Sequence, residues 1–262
     1  MPLPQDSLPE AHERPPAIRR IGTDRPFRWL SLGWQDLRQN PVPSLAYGLL
    51  FAICGDILLL LALPHPDLFM TAVSGFFLVA PLLAAGLYEI SRHLADGERI
   101  TFVDSLAAWR VAGPTLGLFG VTLAIIALVW ERLTALLVER FLTREALDVP
   151  RFFEVVIDSG TRSPWVALWF AGGALLALLV FAATAVSIPM ILDRNTDLVV
   201  AARVSLRAVV GNLDAMFVWA VLIVGLTILG FASFLFGLIV LMPVIGHATW
   251  HAYCDVVGSS GA

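Results

Sequence analysis

Long stretches of the chain carry no charge, and their lengths suit membrane-crossing helices. From Ala215 to Cys254 there is no Asp, Glu or Arg, enough for two crossings when about 20 residues of helix span the hydrocarbon. Similar runs predict six spans, at about 44–63, 68–91, 114–135, 164–192, 213–231 and 234–254. Asn40-Pro-Val-Pro43 leads into the first span, and Pro64-His-Pro-Asp67 closes it in a hairpin. The third span's pattern continues through Glu131 and Arg132 to about Phe141, which places its far end outside the bilayer. The connection 142–163 is polar with scattered apolar residues and predicts a short surface helix. Pro81, Pro189 and Pro243 fall one in each even span and predict kinks, because proline lacks an N–H and its ring meets the carbonyl four residues back. The fold class expected is all-α, a polytopic bundle over 26–257.

The polar stretches have a pattern too. Ahead of each odd span, apolar residues recur at three- and four-residue spacing: Phe27, Leu30, Trp34 and Leu37; Phe102, Leu106 and Trp109; Val199, Ala202, Leu206 and Val209. Each set lies on one face of a helix. The repeating unit is an amphipathic helix, a plain span and a proline-bearing span, three times over. In the interface plane such helices anchor Phe27, Trp34, Phe102 and Trp109 at headgroup depth. Residues 1–25 hold Pro2, Pro4, Pro9, Pro15 and Pro16 among charges and predict a disordered tail. Residues 258–262 form a short C-terminal tail, and the first span serves as an uncleaved signal anchor.

Composition agrees with a lipid solvent. The chain has 262 residues, 58% apolar and 15% charged, against about 25% charged in soluble domains. Every basic residue is Arg, and these gather in the tail (Arg14, Arg19, Arg20, Arg25, Arg28, Arg38), after span two (Arg92, Arg99, Arg110) and after span four (Arg194, Arg203, Arg207). Basic residues near span ends favour the cytoplasm, so both termini are expected there. The two cysteines, Cys54 and Cys254, supply neither a disulfide framework nor a zinc motif.

Three motifs are distinctive: Pro41-x-Pro-Ser-Leu-x-Tyr-Gly48, Phe77-Leu-Val-Ala-Pro-Leu-Leu-Ala-Ala-Gly-Leu-Tyr88 and Gly246-His-Ala-Thr-Trp-His-Ala-Tyr253. On these the chain, from about Pro26 to Val257, resembles the bacterial integral membrane proteins grouped as domain of unknown function 2189. That resemblance implies a multi-pass protein of the inner membrane and no particular activity.

Few residues could carry chemistry. Asp56 lies inside the first span and is expected to face the bundle or a wet cavity, as a structural hydrogen-bonding group or in an ion pathway. Glu89 and His93 are four apart, as are His247 and His251, so each pair shares a helical face. Together they form a candidate set of metal or haem ligands. No nucleophile elbow, phosphate loop or zinc-protease motif is present. The reading is a non-enzymatic accessory, assembly or scaffold protein without a cofactor. Its partners are the lipid bilayer and other membrane proteins or further copies of itself, not nucleic acid. A small-solute or ion transporter using Asp56 is the alternative, and a metal or haem protein a third.

Overall fold

A computed structural model describes residues 16–62, 82–141 and 164–259. Pro81, most of the span expected at 68–91, the connection 142–163 and the chain ends lie outside the described residues. Within them the protein is helical and no strand occurs. In chain order the helices are α1 (Arg25–Gln39), α2 (Pro41–Ala62), α3 (Ala85–Ala95), α4 (Phe102–Ser105), α5 (Ala107–Phe141), α6 (Pro164–Thr184), α7 (Ser187–Arg194), α8 (Leu198–Gly211), α9 (Leu213–Ala232) and α10 (Leu238–Val256). Among the described residues four stretches are long and apolar enough to cross a membrane: Pro41–Leu60, Ala112–Leu137, Val166–Arg194 and Leu213–Ala232.

Prolines shape these helices differently from expectation. Pro41 and Pro43 belong to the first turn of α2, where a missing N–H costs nothing because that turn has no carbonyl partner anyway. α5 starts well before Pro114 and passes through it, running 35 residues. At about 1.5 Å per residue it is longer than the hydrocarbon layer is thick. The expected fourth span is two helices, and the break falls at Ala185-Val186, not at Pro189. The reason is geometric: the ring of Pro189 collides with the carbonyl four residues back, which is that of Ala185. Ser205 of α8 repairs the break, accepting from Val186 N (3.2 Å) and donating to Ala182 O (2.8 Å).

α10 is the axis of the molecule. Twelve of its nineteen residues are buried, and α1, α2, α3 and α9 pack on it. α1 and α2 follow it antiparallel: Arg25 pairs with Asp255, Ser44 meets His247, and Gly48 lies against the Ile239 carbonyl. That carbonyl is the one Pro243 leaves without its helical donor, and a Cβ at position 48 would overlap it. Gly33 makes the same close approach to the backbone of Val244 and Ala248. The core around α10 includes Trp29, Tyr47, Phe51, Trp219, Trp250 and Tyr253, with Trp29 and Trp219 in an edge contact at 5.6 Å.

The amphipathic helices turn an unexpected face to the protein. α1 buries Pro26, Trp29, Gly33, Asp36 and Leu37, while Phe27 and Trp34 are exposed. α8 buries Ala201, Val204, Ser205, Ala208 and Val209 and exposes Val199 and Leu206. In lipid there is no hydrophobic drive between helices, so small and hydrogen-bonding residues make the contacts. Phe102 and Trp109 are half-buried against the core, Phe102 beside Tyr47 at 4.8 Å. They are packing residues here, not the interface anchors expected.

The repeat is visible in its first and third units. α1 passes into α2 through Asn40, and α8 into α9 through Asn212, with nearly the same φ, −134° and −139°. Asn212 also ties down residues 16–24, which were expected in a disordered tail. Its side chain accepts from Ile21 N and donates to Arg19 O, and Arg19 N bonds Val256 O at 2.8 Å. The second unit departs from the pattern: α4 is one turn, and Trp109 lies within α5.

Candidate functional site

The three distinctive motifs converge at one place. Pro243 and Gly246 let α10 come close to its neighbours, with Gly246 against Leu87 and Gly86 against the Tyr47 ring. Just beyond Gly246, His247 is fully buried between Ser44 at the start of α2 and Ser91 on α3. Ser44 Oγ lies 2.9 Å from His247 Nε2, and Ser91 Oγ lies 2.7 Å from His247 Nδ1. Ser91 donates to Asp36 Oδ2 at 2.7 Å, and His251 Nε2 meets the same oxygen at 2.9 Å. Asp36, Ser44, Ser91 and His247 are all buried. One network thus joins α1, α2, α3 and α10.

The proton positions follow by counting. A hydroxyl has one hydrogen, and that of Ser91 goes to Asp36, so His247 Nδ1 must be the donor to Ser91. Ser44 has two acceptors in reach, His247 Nε2 and Asn40 O at 2.8 Å. If Ser44 donates to the ring, His247 is the neutral Nδ1–H tautomer. If it donates to Asn40 O, the contact with His247 requires a second ring proton. The state of His247 is therefore coupled to the carbonyl at the α1–α2 junction.

A serine beside an imidazole that a carboxylate orients is the arrangement of an activated nucleophile. Access is what it lacks. Ser44 and His247 are fully buried, and neither lines the cavity among α5, α6, α9 and α10, whose wall meets α10 at Gly246 and Thr249 instead. Held this way, the network fastens helices.

The sequence-derived candidates separate. Glu89 is engaged by Arg92, at 2.5 and 3.0 Å, and by His93 at 3.6 Å. His247 and His251 belong to the Asp36 network, so the four expected ligands do not converge. Among the described residues no group of three His, Cys, Asp or Glu is placed to hold a metal ion. Asp56 does not face the bundle: it is exposed on α2, next to the buried Gly55. It lies four residues from the end of the apolar stretch at Leu60, about 6 Å along the axis, close enough for the carboxylate to reach the polar layer. Nor does it line the cavity. Asp36, Ser44 and Ser91 were not singled out in the sequence. Ser44 did stand inside a distinctive motif, and Asp36 flanks an apolar face, where a charge is unusual.

Two smaller clusters close the same end of the bundle. Asp255 holds Arg25 (2.5 and 2.6 Å) and the indole of Trp29 (2.9 Å). Burial works to raise this carboxyl, but the hydrogen bonds from Arg25 and Trp29 outweigh it and keep it below the ordinary carboxylate range. Tyr253 donates to Asp193 at 2.6 Å, while Arg194 reaches Tyr253 at 3.1 Å and Gly258 O at 2.9 Å.

Among α5, α6, α9 and α10 lies a cavity of about 520 Å³ whose lining is apolar apart from a few hydroxyl and indole groups.

No curated protein and no solved structure matches this chain. One family model does match, over residues 68–193. Of the three motifs only the one at 77–88 falls inside it; its Gly86 and Leu87 pack against Tyr47 and Gly246 of the other two. The family that model describes is that of the predicted integral membrane proteins designated DUF2189, to which residues 68–193 are similar.

Proposed function

We propose that this integral membrane protein is a non-enzymatic accessory or assembly subunit of a bacterial inner membrane. The observation that carries the reading is that the polar core is closed on itself. Asp36, Ser44, Ser91, His247 and His251 bind one another across four helices; the first four are buried, only His251 is partly exposed among the five, and none of them lines the cavity among α5, α6, α9 and α10. Such a joint fixes one arrangement of helices, as a docking platform requires. The arginines of the N-terminal segment, the α3–α5 region and α7–α8 would face the cytoplasm with both termini.

Purification in mild detergent from the native membrane, followed by mass spectrometry, tests this. A second protein in stoichiometric amount, retained by Asp56→Asn, is the expected result. Protein recovered alone, together with solute or ion flux in liposomes that Asp56→Asn abolishes, overturns it in favour of transport.

A further inference from the structure

α1 and α8 end on equivalent asparagines, Asn40 and Asn212, and counting back from each, the same positions face outward. The thirteenth, ninth, sixth, fifth and second residues before the asparagine are Phe27, Ser31, Trp34, Gln35 and Arg38 in α1. In α8 they are Val199, Arg203, Leu206, Arg207 and Val210, and every one of these side chains is exposed in both helices. At 3.6 residues per turn they fall within an arc of about 100°. Each outward face therefore mixes large apolar side chains with arginine. Phe27 is 58% exposed and Val199 55%, which is poorly suited to water, while a guanidinium group is poorly suited to hydrocarbon. The headgroup layer accommodates both.

The arginines of these faces are uncommitted. Among the described residues Arg25, Arg92, Arg132 and Arg194 lie against carboxylates, whereas Arg38, Arg203 and Arg207 pair with none. The acids of the same segments are engaged elsewhere: Asp36 belongs to the polar joint, and Asp197 caps α8 by accepting from Val199 N and Val200 N. Neither face carries an acid of its own, so the positive charge is left for an anion from outside the chain. The two helices also have different neighbours, α1 packing chiefly on α10 and α8 on α6 and α7. A folded partner seated on one face leaves the other bare, whereas a leaflet reaches both.

We propose that the outward faces of α1 and α8 bind anionic phospholipid headgroups. Arg38, Arg203 and Arg207 donate to phosphate oxygens, while Phe27, Trp34, Val199 and Leu206 lie among the glycerol and upper acyl carbons. Net negative headgroups are favoured over zwitterionic ones because no choline or ethanolamine competes for the phosphate.

Full-length protein in mild detergent is titrated with phosphatidylglycerol or with phosphatidylcholine of the same acyl chains, and bound lipid is counted by native mass spectrometry. The expected result is tighter retention of phosphatidylglycerol, on the order of tenfold, shrinking as salt is raised. Arg203→Gln with Arg207→Gln should remove that preference and leave phosphatidylcholine retention as it was, and Phe27→Ser with Trp34→Ser should weaken both lipids alike. Arg132→Gln, on the far part of α5, should keep the wild-type preference. If the α8 variant does not elute as a folded species, Arg38→Gln on α1 repeats the test, with about a fivefold loss expected. Equal retention of the two lipids by the wild type, or a preference that the α1 and α8 arginine substitutions leave intact, overturns the proposal. So does an acidic protein that co-purifies with the wild type and is released by those substitutions while no lipid preference is seen. Lipid preference and partner co-purification are separate readouts, so this surface and the accessory role are tested independently.

Discussion

Ser91 stands between two groups that both depend on it. Its hydroxyl donates to Asp36 and accepts from His247 Nδ1. Ser91→Ala leaves Asp36 with His251 but removes one acceptor from the ring N–H of a fully buried histidine, leaving the Leu87 carbonyl. The expected cost is about 1–3 kcal/mol, read as a lower melting temperature in detergent. Ser31→Ala, at an exposed position of α1, should stay within about 0.5 kcal/mol. Equal melting temperatures for the two variants would mean that the joint does not hold the helices together. At this scale the sequence was legible only in part. His247 and His251 declared themselves as histidines in an apolar run, but their partners are serines and one aspartate from distant segments. Nothing in residue type or local spacing links Ser44, Ser91 and Asp36 before the helices are packed.

Elements were legible where lipid dictates length and illegible where helix meets helix. The apolar runs placed α2, α9 and the stretch Val166–Arg194 that α6 and α7 share within a few residues, because hydrocarbon thickness is a strong constraint. The packing faces of α1 and α8 came out offset, because large apolar residues are as comfortable in lipid as in protein. Contact falls instead to Gly33, Ala201 and Ala208, which spacing alone does not rank above their neighbours. Asn40 was read only as the entry to a span, and Asn212 escaped notice, since an asparagine before a span reads as a loop residue. Asn212 is the more consequential of the two, because it holds Arg19 and Ile21 against the body of the protein. Asn212→Ala should release that segment and raise the rate of tryptic cleavage after Arg19 and Arg20 by about tenfold. Asn40→Ala breaks the equivalent junction, whose side chain instead bonds Ile100 O, and should leave that rate unchanged. Limited proteolysis with mass analysis of the fragments distinguishes them, and the same rate in Asn212→Ala as in the wild type would refute the role.

At the scale of the whole molecule, connectivity says more about crossings than apolarity does. α10 is not among the stretches apolar enough to be recognised as spans, because His247, Thr249, His251 and Tyr253 lower its hydropathy. Those residues face protein, not lipid, and α10 returns from the end of α9 to the level where Asn212 and Val256 meet Arg19 and Ile21. A spanning α9 therefore requires a crossing α10. α2 runs antiparallel to α10, so Leu60 and Ile100 lie at opposite ends of the bundle, since Ile100 O is bonded by Asn40 at the start of α2. α5 and α6 are antiparallel through the Trp130–Trp169 stack and the bond from Trp169 to Thr134, and Arg194 returns to Gly258. With the proposed function we propose six crossings and both ends on one side. Single cysteines on a Cys54→Ala, Cys254→Ala background test this with a membrane-impermeant maleimide. Ala17→Cys, Glu98→Cys, Arg203→Cys and Ser259→Cys should label only in inverted vesicles, and Phe236→Cys only in spheroplasts. Labelling of Ala17→Cys and Ser259→Cys from opposite sides would break the antiparallel α1–α10 pair on which the polar joint depends, and with it the closed core that underlies the proposed role.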